Sequence, residues 1–148
     1  MKKVLIITYY WPPAGGPGVQ RWLKFVKYLR DFDVEPVVYA PENPEYPIKD
    51  SSFEMEIPEG VKIYKHKIFE PYQLASIFSK KKTKRISSGI IKTRDQSFLE
   101  KILLWIRGNL FIPDARKFWV KPSVKYLQQI IEKEKIQTII TTGPPHSV

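Results

Sequence analysis

Residues 4–40 read VLIITYYWPPAGGPGVQRWLKFVKYLRDFDVEPVVYA, and they set the architecture of the chain. The first part, 4–9, is a continuous apolar run, which is typical of a strand buried on both faces of a parallel sheet. A loop dense in proline and glycine follows at 11–18. Apolar residues then recur at helical spacing over 19–29, and 34–40 is a second apolar run. This order predicts one parallel, right-handed strand–helix–strand unit.

The rest of the chain continues the same alternation. Two more strands are predicted, at 61–67 and 138–142. Three more helices are predicted, at 71–79, at 98–110 and in a last segment whose first turn holds Pro122. The predicted fold class is therefore α/β, a Rossmann-like parallel sheet flanked by helices.

With 148 residues the chain is long enough for one domain with a real core. A doubly wound sheet would need a helix after the strand at 138–142 to cover it. We therefore expect residues 1–148 to be a single Rossmann-like domain and a fragment of a longer protein. The alternative is a natural domain that ends in a strand. Residues 80–96, which are basic and contain Ser87-Ser88-Gly89, are predicted to be a mobile insertion.

Composition narrows the functional classes. The chain has no cysteine, which excludes disulfides and thiolate metal sites. It also has no apolar run long enough to span a membrane, and 4–8 is too short for a signal-peptide core, so we expect a cytoplasmic protein. The net charge of +10 would suit nucleic acid, an anionic membrane or phosphorylated substrates. Much of it falls between 71 and 94, where no acidic residue occurs.

The basic segment and the amphipathic stretch at 98–111 could together contact an anionic membrane surface. Trp105 and clustered Lys and Arg are suitable residues for such a contact. The alternative is a solvated loop followed by an ordinary helix that faces the core.

Two predicted loops leave the carboxyl ends of strands, where open parallel sheets bind ligands. In the first, 10–18, the glycines would let an anion approach the backbone at a helix N-terminus. Arg21, early in that helix, is a candidate to face the anion. For the glycines, the alternative is a simple tight turn. For Arg21, it is a solvent-exposed side chain on the helix. The loop matches neither the Walker motif nor the dinucleotide fingerprint.

The second loop, 143–147, holds His146, which could hydrogen-bond a substrate or move a proton. The alternative role for His146 is a structural hydrogen bond in the loop. Asp114 and Arg116 follow Pro113 and are candidates for an acceptor pocket, although Pro-Asp also opens turns. His66 lies in a predicted strand and is interpreted as structural or exposed. No metal-ligand cluster is visible in the sequence.

Several motifs in order resemble the family 4 glycosyltransferases of the GT-B fold. The opening resembles that family's first strand, its aromatic-Pro-Pro segment and its Gly-Gly loop. Similar segments follow through Arg21-Trp22-Leu23 and the end of the second strand. The matching segments are 4–16 (VLIITYYWPPAGG), 21–23 (RWL), 39–41 (YAP), 111–116 (FIPDAR) with Trp119, and 142–147 (TGPPHS).

The resemblance implies a two-domain, nucleotide-sugar-dependent hexosyltransferase that retains anomeric configuration and needs no metal or cofactor. It implies that Gly15 and Gly16 bind the donor diphosphate and that His146, the catalytic candidate, contacts the transferred sugar. This chain would be the half that holds a saccharide or lipid-linked acceptor in cell-surface glycan synthesis. The nucleotide site would lie in another domain, so we expect 1–148 to be inactive alone.

Two alternatives remain. A basic nucleic-acid-binding module would account for the net charge, but the chain carries no helix–turn–helix, RNP-type or zinc-finger pattern. The other alternative is a different nucleotide-binding Rossmann-like protein. The sequence argues against a dinucleotide site, because Ala40-Pro41 stand where such a site would have an acidic residue at the end of the second strand.

Overall fold

A computed structural model describes residues 1–68 and 117–143, together with Ile102, Trp105 and Asn109. The described chain alternates strands and helices. In chain order the elements are β1 (Lys2–Thr8), α1 (Pro17–Tyr28), β2 (Val34–Pro41), β3 (Lys62–His66), α2 (Lys117–Glu134) and β4 (Thr138–Thr142), with short 3-10 helices at Leu29–Phe32 and Ser51–Glu54.

The four strands form one parallel sheet in the order β3-β2-β1-β4. β1 lies inside the sheet, with β2 on one side and β4 on the other, and its residues Leu5 and Ile6 are fully buried. Pro36 lacks an N–H for a ladder bond, and it precedes the part of β2 that pairs with β3, which begins at Val37. The predicted strands and the α/β fold class are confirmed.

The sheet has a core on each face, because successive side chains of a strand point to opposite sides. On one face the β1 and β2 residues Ile6, Val38 and Ala40 pack in a cluster with Val19, Leu23 and Val26 of α1. On the other face Leu5, Val37 and Tyr39 pack in a cluster with Trp119 and Ile130 of α2. Within the described residues, α1 therefore covers one face and α2 the other, as in a doubly wound α/β domain.

The helix α1 begins at Pro17, directly after Gly16. Gly16 is the N-cap residue, with φ of 107°, and Pro17 occupies the first turn, where its missing N–H is of no consequence. The helix runs directly into the 3-10 helix Leu29–Phe32. That helix ends at Asp33 in the left-handed conformation (φ 56°), one residue before β2.

The prediction for the start of the last helix was wrong. Pro122 lies inside α2, which is helical from Lys117 onward. The reason is packing: Trp119 and Ser123 are buried against the sheet, so the apolar stripe that ends at Ile130 extends upstream of the proline. Tertiary contacts of this kind outweigh a single missing helical hydrogen bond.

Several predictions lie outside the described residues, namely the helix at 71–79 and the insertion at 80–96. In the predicted helix at 98–110 only Ile102, Trp105 and Asn109 are described, and these three are helical. Within the described part of the chain, no helix has both the length and the apolar character needed to cross a membrane.

Candidate functional site

The strand order changes direction between β1 and β4. From β1 the chain moves outward to β2 and β3, and it then returns to place β4 on the other side of β1. Thr8 and Thr142, at the carboxyl ends of these two parallel strands, are Cα partners. The loop that follows β1 and the loop that begins at Gly143 therefore leave neighbouring strands at the same edge. This switch point is where open α/β sheets bind their ligands.

Two backbone hydrogen bonds join the loop that follows β1 to segment 48–50. The Gly15 amide donates to the Ile48 carbonyl at 3.0 Å, and the Asp50 amide donates to the Pro13 carbonyl at 2.9 Å. A Cβ on Gly15 would lie 2.8 Å from Ile48 Cγ2 and 3.3 Å from Asp50 Cβ. A side chain at position 15 would force Ile48 or Asp50 to shift, because segment 48–50 packs against Gly15. The two hydrogen bonds tie the loop that follows β1 to that segment.

Gly16 and Gly18 differ from Gly15. A Cβ on either would meet no atom within 4 Å, so both face open space. Among the described residues, the amides of Gly16 and Gly18 have no hydrogen-bond acceptor, while Val19 donates to the Gly16 carbonyl at 3.1 Å. The first turn of α1 contains no acidic residue and no side chain caps it. Free N–H groups at the positive end of a helix suit an anion.

Tyr46 holds the start of this loop. Its hydroxyl donates to the Tyr9 carbonyl at 3.0 Å and accepts from the Trp11 amide at 3.4 Å. Its ring also packs edge-on against Tyr9, with ring centroids 5.9 Å apart. The loop between β2 and β3, in which Tyr46 lies, thus fixes the backbone that follows β1. Trp11 is itself buried, and its indole N–H has no acceptor in the described part of the chain.

A buried polar network joins the sheet to α2 close to the same edge. The Tyr39 hydroxyl donates to Ser123 Oγ at 2.7 Å and accepts from Trp119 Nε1 at 3.1 Å. The Trp119 ring stacks on Tyr39, with centroids 5.5 Å apart and planes 15° apart, and it meets Tyr9 edge-on. Burial is the main cause that raises the pKa of Tyr39, so this phenol stays protonated and can donate.

The loops after β2 and β3 are also joined. The Asn43 side chain donates to the Ile68 carbonyl at 3.1 Å and accepts from the Ile68 amide at 2.8 Å. The Glu42 amide donates to the carbonyl of His66, whose ring stacks on Tyr126 of α2 at 4.9 Å. His66 therefore has a packing role, as the sequence indicated.

Arg21 lies on the outer surface of α1. Its guanidinium carbon is 6.0 Å from the centre of the Trp22 ring, and it lines a surface cavity with Lys24, Phe25 and Tyr28. These contacts are away from the sheet and do not involve Gly16.

The remaining candidates from the sequence lie outside the described residues. These are His146, the catalytic candidate, and Asp114 and Arg116. The last described residue of the second loop is Gly143, one position beyond β4. Their roles therefore stay predictions.

At the opposite edge of the sheet lies an ionic cluster around Glu134, the last residue of α2. Its carboxylate is 3% exposed and accepts from Lys62 Nζ at 2.8 Å, Lys3 Nζ at 2.9 Å and the Tyr64 hydroxyl at 2.7 Å. These three hydrogen bonds, first that of Lys62, lower the pKa of Glu134 to about 2. The bond to Glu134 is also the main cause that raises the pKa of Tyr64 to about 12.

This cluster is structural. A carboxylate is unfavourable at the negative end of a helix, and the two lysines and the phenol offset that cost. They also join the end of α2 to the first residues of β1 and β3. In the described ranges 1–68 and 117–143, no group of three acidic or histidine side chains could hold a metal ion.

No protein-family model, curated protein or solved structure matches the chain.

Proposed function

We propose that this chain is the acceptor-side domain of a retaining, nucleotide-sugar-dependent glycosyltransferase. The observation that carries the proposal is the pairing of Thr8 with Thr142, which brings the Gly-Gly loop and Gly143 to one edge at the switch point. Gly143 is the first residue of the predicted loop that contains His146. The sequence resemblance pairs those same two loops around the donor. The proposal extends to polysaccharide or glycolipid synthesis, with a saccharide or lipid-linked acceptor, at the cytoplasmic face of a membrane.

The chemical role proposed for this domain is to stabilise charge on the leaving diphosphate. The leaving nucleoside diphosphate gains negative charge as the bond between the donor sugar and that diphosphate breaks. The open amides of Gly16 and Gly18 and the dipole of α1 would stabilise that charge. The Gly15 amide is already bound to Ile48, so we assign Gly15 the role of shaping the loop and Gly16 that of contacting the diphosphate.

His146 would contact the transferred sugar from the neighbouring loop. The buried network of Tyr39, Ser123 and Trp119 would hold α2 and the sheet rigid beneath the acceptor. Acceptor selection is assigned to the loop at 41–58, which already contacts the Gly-Gly loop through residues 46–50.

The test is sugar transfer by the whole protein that contains this domain, with a panel of labelled nucleotide sugars and lipid or saccharide acceptors. We expect transfer with retention from one donor, and a strong loss of kcat in His146→Ala and Gly16→Ala. Gly60→Ala is the matched control, because Gly60 also has a positive φ (74°) but lies far along the chain, between Ser51–Glu54 and β3. Absence of transfer from every donor, or equal loss in the Gly16 and Gly60 variants, would contradict the proposal.

A further inference from the structure

The face of α1 that points away from the sheet is aromatic. Phe25 and Tyr28 are 51% and 50% exposed, and Phe32 in the following 3-10 helix is 76% exposed. Together with Leu29 they line an open surface cavity of about 450 Å³, whose walls are almost entirely carbon. We call Phe25, Tyr28 and Phe32 the aromatic face of α1.

The aromatic face is not the side of α1 that covers the sheet. The residues of α1 that cover the sheet are Val19, Leu23 and Val26, and all three are buried. A helix that only covered a sheet would carry polar residues on its other side. A contiguous exposed apolar patch of this kind marks an interaction site more often than single exposed side chains do.

Basic residues border the aromatic face. The helix Pro17–Tyr28 contains Arg21, Lys24 and Lys27 and has no acidic residue. Lys24 forms an ion pair with Glu56, whereas Arg21 and Lys27 have no carboxylate partner in the described part of the chain. The Lys27 ammonium lies 5.6 Å from the centre of the Tyr28 ring.

We propose that the aromatic face of α1 docks on the surface of an anionic lipid bilayer. Phe25, Tyr28 and Phe32 would enter the boundary between head groups and acyl chains, and Arg21 and Lys27 would contact lipid phosphates. The aromatic face contains none of the residues of the segment at 80–96. The inference goes beyond sugar transfer, and it rests on the proposed function only for the membrane location that it explains.

Charge complementarity favours a lipid surface over a second copy of the chain. A symmetric dimer through this face would set Arg21 and Lys27 of one copy near the same residues of the other, since such an interface uses the same patch twice. Nucleic acid fits less well, because a base in the carbon-lined cavity would lose hydrogen bonds to water without replacement.

The test is co-sedimentation of the chain with vesicles of phosphatidylcholine alone and of phosphatidylcholine mixed with phosphatidylglycerol. We expect binding to the anionic vesicles that weakens as salt is added. The double variant Phe25→Ser with Phe32→Ser should bind at least about tenfold more weakly. Arg21→Gln and Lys27→Gln should each weaken binding to anionic vesicles about fivefold. The charge variants remove no buried packing, so they provide the test if the aromatic variant fails to fold.

The matched control pair lies on α2, where Val124 is 49% exposed and Lys125 is also exposed. Val124→Ser and Lys125→Gln should bind vesicles like the wild type. The proposal is overturned if the α1 variants bind anionic vesicles as well as the wild type does, or if the folded chain does not bind anionic vesicles. It is also overturned if sedimentation velocity without lipid shows a dimer that Phe25→Ser dissociates. A Gly16→Ala variant that loses sugar transfer should still bind vesicles, which separates this proposal from the enzymatic one.

Discussion

Thr8 and Thr142 are Cα partners although 134 positions separate them in the chain, and each ends its strand at the carboxyl edge of the sheet. The pairing makes β1 and β4 neighbours across the switch point. It also directs the loop of Gly16 and the loop that begins at Gly143 to the same edge. The functional proposal depends on this neighbourhood, and the predictions below test the contacts that maintain it.

The first prediction concerns the two kinds of glycine in the loop. Gly15→Ala would push a methyl group against Ile48 and Asp50, and we expect it to lower the free energy of unfolding by about 1–3 kcal/mol. Gly18→Ala would place a methyl group in open space at the start of α1, and we expect it to raise that free energy by about 0.4–1 kcal/mol. Urea unfolding of both variants measures the difference. Equal effects of the two substitutions would show that the packing of segment 48–50 on Gly15 is unimportant.

The second prediction concerns Tyr46, whose hydroxyl joins two loops. Tyr46→Phe removes the bonds to the Tyr9 carbonyl and the Trp11 amide but keeps the ring. We expect a loss of about 1–2 kcal/mol in the free energy of unfolding and faster hydrogen exchange at the Trp11 amide. Tyr28→Phe is the control, because Tyr28 is half exposed, and it should change stability by less than about 0.5 kcal/mol. Unchanged exchange at Trp11 would argue against this tether.

The third prediction concerns the buried network beneath the carboxyl edge. Tyr39→Phe leaves the Trp119 N–H and the Ser123 hydroxyl without their shared partner. We expect it to cost about 1–3 kcal/mol of stability, since the polar groups left behind are buried. Near-ultraviolet circular dichroism should change as well, because Trp119 stacks on that ring. A variant as stable as the wild type would mean that water replaces the hydroxyl at no cost.

The fourth prediction concerns pH and the cluster at the other edge. The pKa of Glu134 is lowered from 4.5 to about 2, chiefly by the hydrogen bonds from Lys62 and then Lys3. A carboxyl with a lowered folded pKa contributes stability that is complete above its unfolded value and is lost as pH falls through the folded value. Near neutral pH, Glu134→Gln should therefore cost about 1–3 kcal/mol. Its difference from the wild type should shrink between pH 4.5 and about 2.

Glu56→Gln is the matched control for this pH series. Glu56 is a half-exposed carboxylate paired with Lys24, and removing a surface pair should cost no more than about 1 kcal/mol. Urea unfolding at several pH values separates the two cases. If the Glu134 and Glu56 variants follow the same pH profile, burial adds nothing to the cluster.

The sequence predicted the centre of the sheet well because β1 and β2 are apolar runs. Leu5, Ile6, Val37 and Val38 are buried on both sides, and continuous apolar runs indicate such strands directly. The proline rule failed at Pro122, where the burial of Trp119 extends the helix upstream. The local pattern around Pro122 did not show that Trp119 would be buried against the sheet.

The contacts that shape the candidate site could not be predicted in the same way. Gly15 was interpreted as a place for close ligand approach, and its free side is filled by Ile48, 33 positions later in the chain. Likewise, nothing local to Glu134 indicates that Lys3 will reach it, because they meet only when α2 ends beside the start of β1. Contacts between residues so far apart in the chain follow from the topology of the fold, which local sequence patterns do not show.

The central claim is that an anion docks at the switch point, and amide NMR of the isotopically labelled chain titrated with inorganic diphosphate tests it most directly. We expect the largest chemical-shift changes at Gly16 and Gly18, weaker changes at Gly143, and none at Gly60. The Gly16→Ala variant should lose most of the response. Shift changes that leave Gly16 and Gly18 unmoved, or that centre on the opposite edge near Lys62, would contradict the account.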